Sequence, residues 1–382
     1  MNVRTTPARR STRIPAGRPA LGTALAAALL GALLTGCSGS GDPVSFDAPN
    51  AVATGDPTAS AAGTGTRTTS VSAGEAPSRA ERLTRLPTGP KARFTQESTL
   101  DDGTAIAVTT LEGPKSGFTG KVWVWAPRQY FEPRYAKSGF PVLIALPGGH
   151  GYPKNYWMGA GLKLQSSIAQ WSQDGTSLPF IVVMPVLNPD AKYFYDGSDI
   201  PGQPRMGTWL AEDVPDFARA NFRTFRSRDG WAFMGSSSGG FAALKTVLQH
   251  AGQFKAVIAS GPDILPDSPL WNGYEEERAA NNPENLAEAL IERGGPDVYL
   301  AFQIGTRESG MPNLRNFIRD FGKGPVKTHL QIIPDGSHNA KTYIRGMGEG
   351  TMEWLSQHLQ GPVPEGEPAG PSWAATAPAT RP

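Results

Sequence analysis

The chain of 382 residues is poor in the residues that mark several classes of protein. It has a single cysteine, which excludes a disulfide within the chain. Charged residues make up only 18%, and the five histidines show no metal-ligand spacing. No uninterrupted apolar run reaches the ~20 residues of a membrane-spanning helix, and no internal repeat is present. The sequence therefore disfavours disulfide-stabilised, metal-binding, repeat and membrane-spanning architectures.

The small excess of basic residues belongs to the start of the chain. The first 36 residues hold five arginines and no acidic residue, whereas the rest holds 31 basic and 34 acidic residues. The basicity is thus typical of a leader and does not favour a nucleic-acid partner. Glycine and proline are abundant but unevenly spread, which predicts flexible segments around one folded unit.

The leader has the layout of an export signal. Arginines precede a weakly apolar run over residues 20–34, and the run ends in Leu34-Thr35-Gly36-Cys37. This ending resembles a bacterial lipobox, in which the cysteine is lipidated and becomes the mature N-terminus. The alternative is an ordinary signal peptide with a chance cysteine. Arg9-Arg10 leaves open whether export uses the general or the twin-arginine route. We expect a lipoprotein on the outer face of the cell membrane, anchored through Cys37.

Composition divides the chain into four parts. A Gly/Ser/Thr/Ala/Pro-rich stretch follows the leader and cannot bury enough apolar surface to fold alone. The end of the chain has a similar composition. The predicted boundaries are a lipoprotein signal peptide (1–36), a disordered tether (37–92), a folded domain (93–360) and a disordered tail (361–382).

The folded region alternates apolar runs with helical patterns, which predicts a mostly parallel sheet with helices on both faces. The predicted strands are Thr104–Leu111, Gly120–Ala126, Pro141–Leu146, Phe180–Pro185, Trp231–Met234, Ala256–Ser260, Val298–Ile304 and His329–Ile333. The predicted helices are Leu162–Trp171, Trp209–Phe222, Gly240–His250, Glu284–Arg293, Leu314–Phe321 and Met347–Leu359. The first two strands lack a helix between them and should form an antiparallel hairpin at the edge of the sheet.

Residues 231–240 predict a nucleophile. They read Trp-Ala-Phe-Met-Gly-Ser-Ser-Ser-Gly-Gly, so Gly235 and Gly239 frame Ser237 as G-x-S-x-G. A short apolar strand precedes this pentapeptide and a helix follows it, which is the setting a nucleophile elbow needs. Neither neighbouring serine has a glycine two residues before it, so Ser237 is the predicted nucleophile.

The base and the acid follow from chain order, which is Ser, acid, His in the fold that uses this elbow. Among the histidines after Ser237, His338 lies in a polar turn beyond the last predicted strand, where the base belongs. Glu308 is the only carboxylate in the loop after the penultimate strand, and it would orient the imidazole. Asp320, in a helical pattern, and Asp335, in a Pro-Asp-Gly turn, are the alternatives.

The oxyanion hole needs two backbone N–H groups. One is expected from Ser238, directly after the nucleophile. The other is expected from the glycine-rich loop after the third predicted strand, where we favour Gly149 and keep Gly148 as the alternative. His150 in the same loop could line the pocket.

With these residues in place, the region from Phe94 to Gln360 resembles the esterase-D-like and mycolyltransferase-like branch of the α/β-hydrolase superfamily. The resemblance implies that Ser237, Glu308 and His338 form a triad. It also implies oxyanion donors at Gly149 and Ser238. The segments that carry it are Leu143–His150, Val182–Pro185, Glu212–Phe217, Gly235–Gly240 and Asp335–His338.

The chain also departs from that family. The family usually has methionine after the nucleophile, where this chain has Ser238. Mycolyltransferases carry Asp-Gly-Leu-Arg where this chain has Pro147-Gly148-Gly149-His150, so their trehalose site does not carry over.

The sequence therefore predicts a serine-dependent carboxylic-ester hydrolase or acyltransferase that works through an acyl-enzyme. It needs no metal or organic cofactor. Its expected partners are an acyl ester, from a small molecule, a lipid or a cell-envelope glycan, and the membrane through the lipid anchor. The alternative is a lipid-tethered binding protein that keeps the fold without activity. An esterase acting on extracellular polymer is a further possibility.

Overall fold

The apolar runs of the sequence form one large sheet. The computed structural model describes residues 41–47 and 78–366, and in these ranges the sheet has ten strands. Its strands are β1 (Pro43–Val44), β3 (Phe94–Thr99), β4 (Ala105–Glu112), β5 (Thr119–Trp125), β6 (Val142–Leu146), β7 (Ile181–Pro185), β9 (Trp231–Ser236), β10 (Ala256–Ser260), β11 (Val298–Gly305) and β12 (Val326–Ile333). Two further strands, β2 (Thr84–Arg85) and β8 (Thr224–Phe225), pair with each other outside it.

The sheet has an antiparallel part and a parallel part. The strand order is β1-β3-β4-β5-β7-β6-β9-β10-β11-β12. All pairs from β1 to β7 are antiparallel, and all pairs from β7 through β6 to β12 are parallel. Every residue of β6, β7 and β10 is buried, so both faces of the sheet are covered at its centre. The predicted α/β-hydrolase fold is confirmed.

Helices occupy most of the connections. They are α1 (Arg79–Leu83), α2 (Leu164–Gln173), α3 (Met206–Thr208), α4 (Val214–Asn221), α5 (Ser238–Gln249), α6 (Glu275–Ala280), α7 (Pro283–Glu292), α8 (Met311–Phe321), α9 (Ala340–Gly346) and α10 (Met352–Gln357). Wide π-helical turns, Trp209–Asp213 and Met347–Thr351, lead into α4 and α10. None of the helices in the described ranges is long and apolar enough to cross a membrane.

The predicted hairpin forms, but it does not lie at the edge. Strands β4 and β5 pair antiparallel as expected, yet β3 covers β4 and β1 covers β3. The sequence of β3, Phe-Thr-Gln-Glu-Ser-Thr, is mostly polar, and only its first residue is buried. A strand near an edge needs little apolar surface, and for that reason β3 escaped a prediction based on apolar runs. For the same reason β12 starts three residues earlier than predicted.

The predicted tether, 37–92, differs from the structure at its start. Within residues 41–47, Val44 pairs with Phe94 in the main sheet. The ring of Phe46 packs edge-on against Phe94, with 5.1 Å between ring centroids, and against Phe222 at 5.0 Å. Strand pairing and one aromatic side chain thus attach this segment to the core.

The end of the predicted tether is also structured. The Ser78 side chain caps α1 by accepting from the Glu81 N–H, and the Glu81 carboxylate accepts from the Ser78 N–H. This reciprocal capping box stabilises a helix of only five residues. The signal peptide, Cys37 and the middle of the tether lie outside the described residues.

The folded domain also extends past residue 360. Val363 is buried, and its N–H donates to Ser138 Oγ at 2.8 Å. The Glu365 N–H donates to the Arg134 carbonyl at 2.7 Å. The predicted tail therefore begins later than residue 361, because backbone hydrogen bonds and one buried valine hold its first residues on the domain.

Candidate active site

The turn between β9 and α5 holds Ser237 in an unusual backbone conformation. Its φ is 53° and its ψ is −126°, a region that side-chain-bearing residues rarely occupy. The Ser237 N–H donates to the Ser260 carbonyl on the adjacent strand at 2.9 Å, and its carbonyl accepts from the Phe241 N–H at 2.9 Å. The neighbouring strand and the first turn of α5 thus hold the strained residue in place.

The two glycines of the motif are required by close backbone contacts. A Cβ added at Gly235 would lie 2.2 Å from the Gly239 carbonyl oxygen. One added at Gly239 would lie 2.3 Å from the Pro147 carbonyl oxygen. Neither position has room for a side chain, because strand, turn and helix cross here at backbone distance.

The three adjacent serines have different surroundings. Ser236 is buried, and its Oγ is hydrogen-bonded to the Tyr156 hydroxyl. Ser238 donates from its Oγ to the Gly149 carbonyl at 2.8 Å. Ser237 lines a cavity, and within the described part of the chain its hydroxyl makes no hydrogen bond. Of the three hydroxyl groups, that of Ser237 is the one left free at the cavity.

Glu308 and His338 are in direct contact across the loops that follow β11 and β12. Glu308 Oε2 lies 2.6 Å from His338 Nδ1, and Glu308 Oε1 accepts from the Gly305 N–H at 2.7 Å. The Glu308 side chain is only 5% exposed, whereas that of His338 is 52% exposed. The buried Glu308 carboxylate is thus hydrogen-bonded to Nδ1 of His338. Nε2 of the same accessible imidazole remains free to accept a proton.

Two further residues, Tyr343 and Gly261, lie against the Glu308–His338 pair, and the sequence predicted neither. The Tyr343 hydroxyl, from α9, donates to Glu308 Oε2 at 2.7 Å and lies 2.8 Å from His338 Nδ1. Gly261 follows β10 with φ +48°, and a Cβ added there would lie 2.2 Å from the Tyr343 hydroxyl oxygen and 2.5 Å from Glu308 Oε2. Neither residue belongs to a local motif. The position of Gly261 directly after a buried parallel strand was the only available signal.

The electrostatics of the pair follow from these contacts. Burial alone would raise the pKa of Glu308. Hydrogen bonds from His338, the Gly305 N–H and Tyr343 outweigh burial and hold the pKa of Glu308 below its ordinary value. The hydrogen bond to Glu308 raises the pKa of His338 above its ordinary 6.5, and this outweighs the partial burial of the ring. The pair thus favours an anionic glutamate that stabilises a cationic imidazole.

The alternative acids lie elsewhere. Asp320 forms an exposed ion pair with Arg319 at 2.6 Å. Asp335 has a side chain that is 84% exposed, and its carboxylate lies 3.3 Å from Arg307. Neither carboxylate contacts an imidazole, so Glu308 is the acid that the structure brings to His338.

The other histidines also have separate environments. His150 stacks on Phe194 with 4.5 Å between ring centroids. His329 stacks on Trp354, while His358 Nδ1 lies 2.7 Å from the Trp354 carbonyl.

The predicted oxyanion donors are neighbours in space, since Ser238 donates from its Oγ to the Gly149 carbonyl at 2.8 Å. Gly149 has φ +65°, and a Cβ added there would have nothing within 4 Å. The Gly148 N–H is occupied, since it donates to the Tyr156 hydroxyl at 2.9 Å. Within the described residues, neither the Gly149 N–H nor the Ser238 N–H donates to a protein group. The structure therefore favours Gly149 over its neighbour Gly148 as the free donor.

A cavity of about 560 Å³ is shared by Ser237, His338 and Gly149. Its lining is mainly apolar, and the described residues that form it include one histidine and no aspartate, glutamate, lysine or arginine. Within the described ranges, no group of three or more histidine, cysteine, aspartate or glutamate side chains is arranged to hold a metal ion. The lining residues are Gly148, Gly149, Tyr156, Leu162, Ser236, Ser237, His338, Asn339, Ala340 and Tyr343.

Parts of this sequence are similar to the sequences of known proteins. An uncharacterized protein of Corynebacterium glutamicum is 25% identical over 291 residues, which cover 69% of this chain and 65% of that protein. A Mycobacterium tuberculosis protein named as an esterase is 31% identical over 168 residues, which cover 43% of this chain and 33% of that protein. The chain thus spans less than two thirds of the length of either relative.

The fold is shared more widely. The structure of an S-formylglutathione hydrolase from Agrobacterium tumefaciens is similar, with a TM-score of 0.53 and 17% identity over 69% of this chain and 98% of that chain. At this identity the likeness concerns the fold. The family described as "Putative esterase" matches residues 119–322, which is more than half of the chain. The chain therefore belongs to this esterase family.

Proposed function

We propose that this protein is a serine-dependent carboxylic-ester hydrolase or acyltransferase whose triad is Ser237, Glu308 and His338. The observation that carries the proposal is the 2.6 Å contact between Glu308 Oε2 and His338 Nδ1, beside a cavity that His338 shares with Ser237. The contact commits Nδ1 to the carboxylate and leaves Nε2 as the base. Membership of the esterase family supports the same reaction class.

The mechanism follows from the positions of these groups. His338 Nε2 takes the proton of Ser237 as the hydroxyl attacks the ester carbonyl. The carbonyl oxygen becomes an oxyanion, which the N–H groups of Gly149 and Ser238 stabilise. His338 then protonates the leaving alcohol, which departs and leaves the acyl group on Ser237. Water or an acceptor alcohol attacks this acyl-enzyme with His338 again as the base, and the serine is regenerated.

The cavity lining favours an uncharged ester. Among the described residues of the lining, His338 is the one side chain that can become cationic, none is acidic, and apolar surface predominates. A cationic group in this cavity would lose hydration without gaining an acidic partner, and an anionic group would pair with His338 only by keeping the base in its protonated, inactive form. We therefore include in the proposal that the group bound in the cavity is neutral.

The test of the reaction class is covalent labelling. The purified protein is treated with a fluorophosphonate probe and assayed on a panel of aryl, feruloyl, acetyl-sugar and trehalose esters. We expect labelling and turnover with the wild type and neither with Ser237→Ala. A folded wild type that takes no label and turns over no ester would instead favour the binding-protein alternative.

Export and lipid anchoring form a separate part of the proposal. Leu34-Thr35-Gly36-Cys37 after an apolar leader supports diacylation of Cys37 and attachment to the outer face of the cell membrane. In a detergent phase separation, the wild type should enter the detergent phase, and Cys37→Ala should leave the membrane fraction or stay unprocessed. A wild type that partitions into the aqueous phase would contradict the anchor without affecting the catalytic proposal.

A further inference from the structure

The Tyr156 hydroxyl is held rigidly at the catalytic cavity. The residue before it, Asn155, is buried and donates from its side chain to the carbonyls of Ala145 and Pro185, at 2.8 Å each. These bonds attach the turn that carries Tyr156 to the ends of β6 and β7. The Tyr156 side chain then reaches the cavity that also contains Ser237. Its position is thus set by the sheet and does not depend on a mobile loop.

The hydrogen bonds at this hydroxyl determine where its proton points. Tyr156 accepts from the Gly148 N–H at 2.9 Å and is also hydrogen-bonded to Ser236 Oγ. Ser236 is only 2% exposed, and among the described residues its hydroxyl has no other partner. In either arrangement one of the two hydroxyl protons has no acceptor among the described residues, and both side chains line the cavity. Leaving that proton on the nearly buried Ser236 is less favourable than leaving it on the more exposed Tyr156, which can direct it into the cavity. Ser236 is therefore the donor.

With Ser236 as donor, both acceptor positions of the Tyr156 oxygen are filled. A phenol has one proton to donate, and no acceptor from the described residues remains for it. The open side of the hydroxyl is the cavity. The nucleophile is close, since a Cβ added at Gly148, whose N–H binds Tyr156, would lie 3.2 Å from Ser237 Cβ.

We infer that Tyr156 is a further catalytic residue, whose O–H donates a hydrogen bond to the substrate ester oxygen that becomes the oxyanion. This inference rests on the proposed function. The hydroxyl adds a side-chain donor to the backbone donors Gly149 and Ser238. Burial raises the pKa of Tyr156, so the group remains a protonated donor across the neutral range.

The test begins with Tyr156→Phe, which removes only the hydroxyl. We expect kcat to fall about a hundredfold, the size seen for one oxyanion donor, with KM changed less than about threefold. Binding of a trifluoromethyl ketone, which forms a tetrahedral adduct at the serine, should weaken by a similar factor. Tyr152→Phe, at an exposed tyrosine of the same loop, is the matched control and should behave as the wild type.

Tyr156→Phe also deprives Gly148 and Ser236 of their acceptor, so a second variant separates donation from positioning. Replacing Tyr156 with 3-fluorotyrosine keeps both accepted hydrogen bonds and makes the phenol a stronger donor. Direct donation predicts that kcat and the affinity for the ketone change with this substitution. Wild-type values for the fluorotyrosine enzyme, with Tyr156→Phe impaired, would overturn donation and leave a structural role.

An unimpaired Tyr156→Phe enzyme would overturn the inference completely, while the wild type still labelled at Ser237. A wild type that neither labels nor turns over ester would overturn the proposed function, and with it this inference. The two failures are therefore distinguishable.

Discussion

The two halves of the candidate site are held in place by different means. On the side of β9 and α5, backbone contacts at Gly235 and Gly239 impose the strained conformation of Ser237. On the side of β11 and β12, hydrogen bonds between side chains join Glu308 to its neighbours. A backbone held by close contacts leaves no room for an added side chain. A group of hydrogen-bonded side chains, in contrast, can lose one hydrogen bond and keep part of its function. Substitutions on the two sides should therefore differ in how much activity they remove.

The largest effect is expected at the nucleophile. Ser237→Ala should lower turnover about 10⁴-fold or more, since the members of a triad act as one unit and only binding and the oxyanion hole remain. Mass spectrometry after fluorophosphonate treatment should place the adduct on Ser237. Ser238→Ala keeps its backbone N–H and should lose far less activity. An adduct on Ser236 or Ser238 would show that the elbow exposes a different hydroxyl.

The next effect is expected at the acid. Glu308→Gln should keep the fold and slow ester cleavage on the order of 10³-fold, because the imidazole loses the charge that stabilises its cationic form. Steady-state kinetics on an aryl ester measures the loss. Asp335→Asn and Asp320→Asn, at the exposed carboxylates, are the controls and should be close to wild type. A large loss from Asp335→Asn with Glu308→Gln near wild type would reverse the assignment.

Gly261 tests whether the hydrogen-bonded half also contains a steric requirement. Gly261→Ala should displace Tyr343 and Glu308, lower the free energy of unfolding by about 1–3 kcal/mol and reduce kcat at least tenfold. Gly273→Ala is the matched control, since Gly273 also has positive φ but has nothing within 4 Å of an added Cβ. Equal losses of activity in both variants would mean that backbone strain alone is responsible.

A smaller effect is expected at Tyr343. Tyr343→Phe removes the hydrogen bond from the phenol to Glu308 Oε2 and leaves the contact of Oε2 with His338 and the bond from the Gly305 N–H to Oε1. We expect kcat to fall about tenfold, because a buried carboxylate with fewer donors holds the imidazole less firmly. Pre-steady-state acylation rates measure this step directly. Unchanged acylation would show that the tyrosine only fills space between the two loops.

The smallest effect is a shift in pH dependence. Only the neutral imidazole can act as the base, so kcat/KM should rise with pH through the pKa of His338. The hydrogen bond to Glu308 raises that pKa above 6.5, which places the acidic limb above this value. In Glu308→Gln the limb should move to lower pH, and measuring residual kcat/KM against pH would detect it. A limb that moves to higher pH would contradict the stated cause.

The centre of the sheet was predictable and its margin was not. The continuous apolar runs of β6, β7 and β10 are buried on both faces, and each was identified within one residue at its start. Strands near an edge, such as β1 and β3, need little apolar surface and carry little signal. Helix α1 is stabilised by its capping box, a pattern that a search for apolar runs does not detect.

The same division holds within the site. Ser237 has a local motif, while His338 and Glu308 follow from strand order. Tyr343 and Gly261 have neither, since their roles arise from contacts with Glu308, which lies 35 residues from Tyr343 and 47 residues from Gly261 in sequence. Such contacts are set by the packed fold and leave no local pattern.

The parallel strands β6, β9, β10, β11 and β12 end at one edge of the sheet, and the segments that follow β6, β9, β11 and β12 supply Gly149, Ser237, Glu308 and His338. Each parallel pair is joined by a long crossover, so these groups meet only through non-local contacts, which form slowly. A partly folded chain can contain much of its helical structure while the catalytic groups are still far apart. During refolding from denaturant, ester cleavage should therefore return after the far-ultraviolet circular dichroism signal, which makes activity a reporter of the last strand to dock.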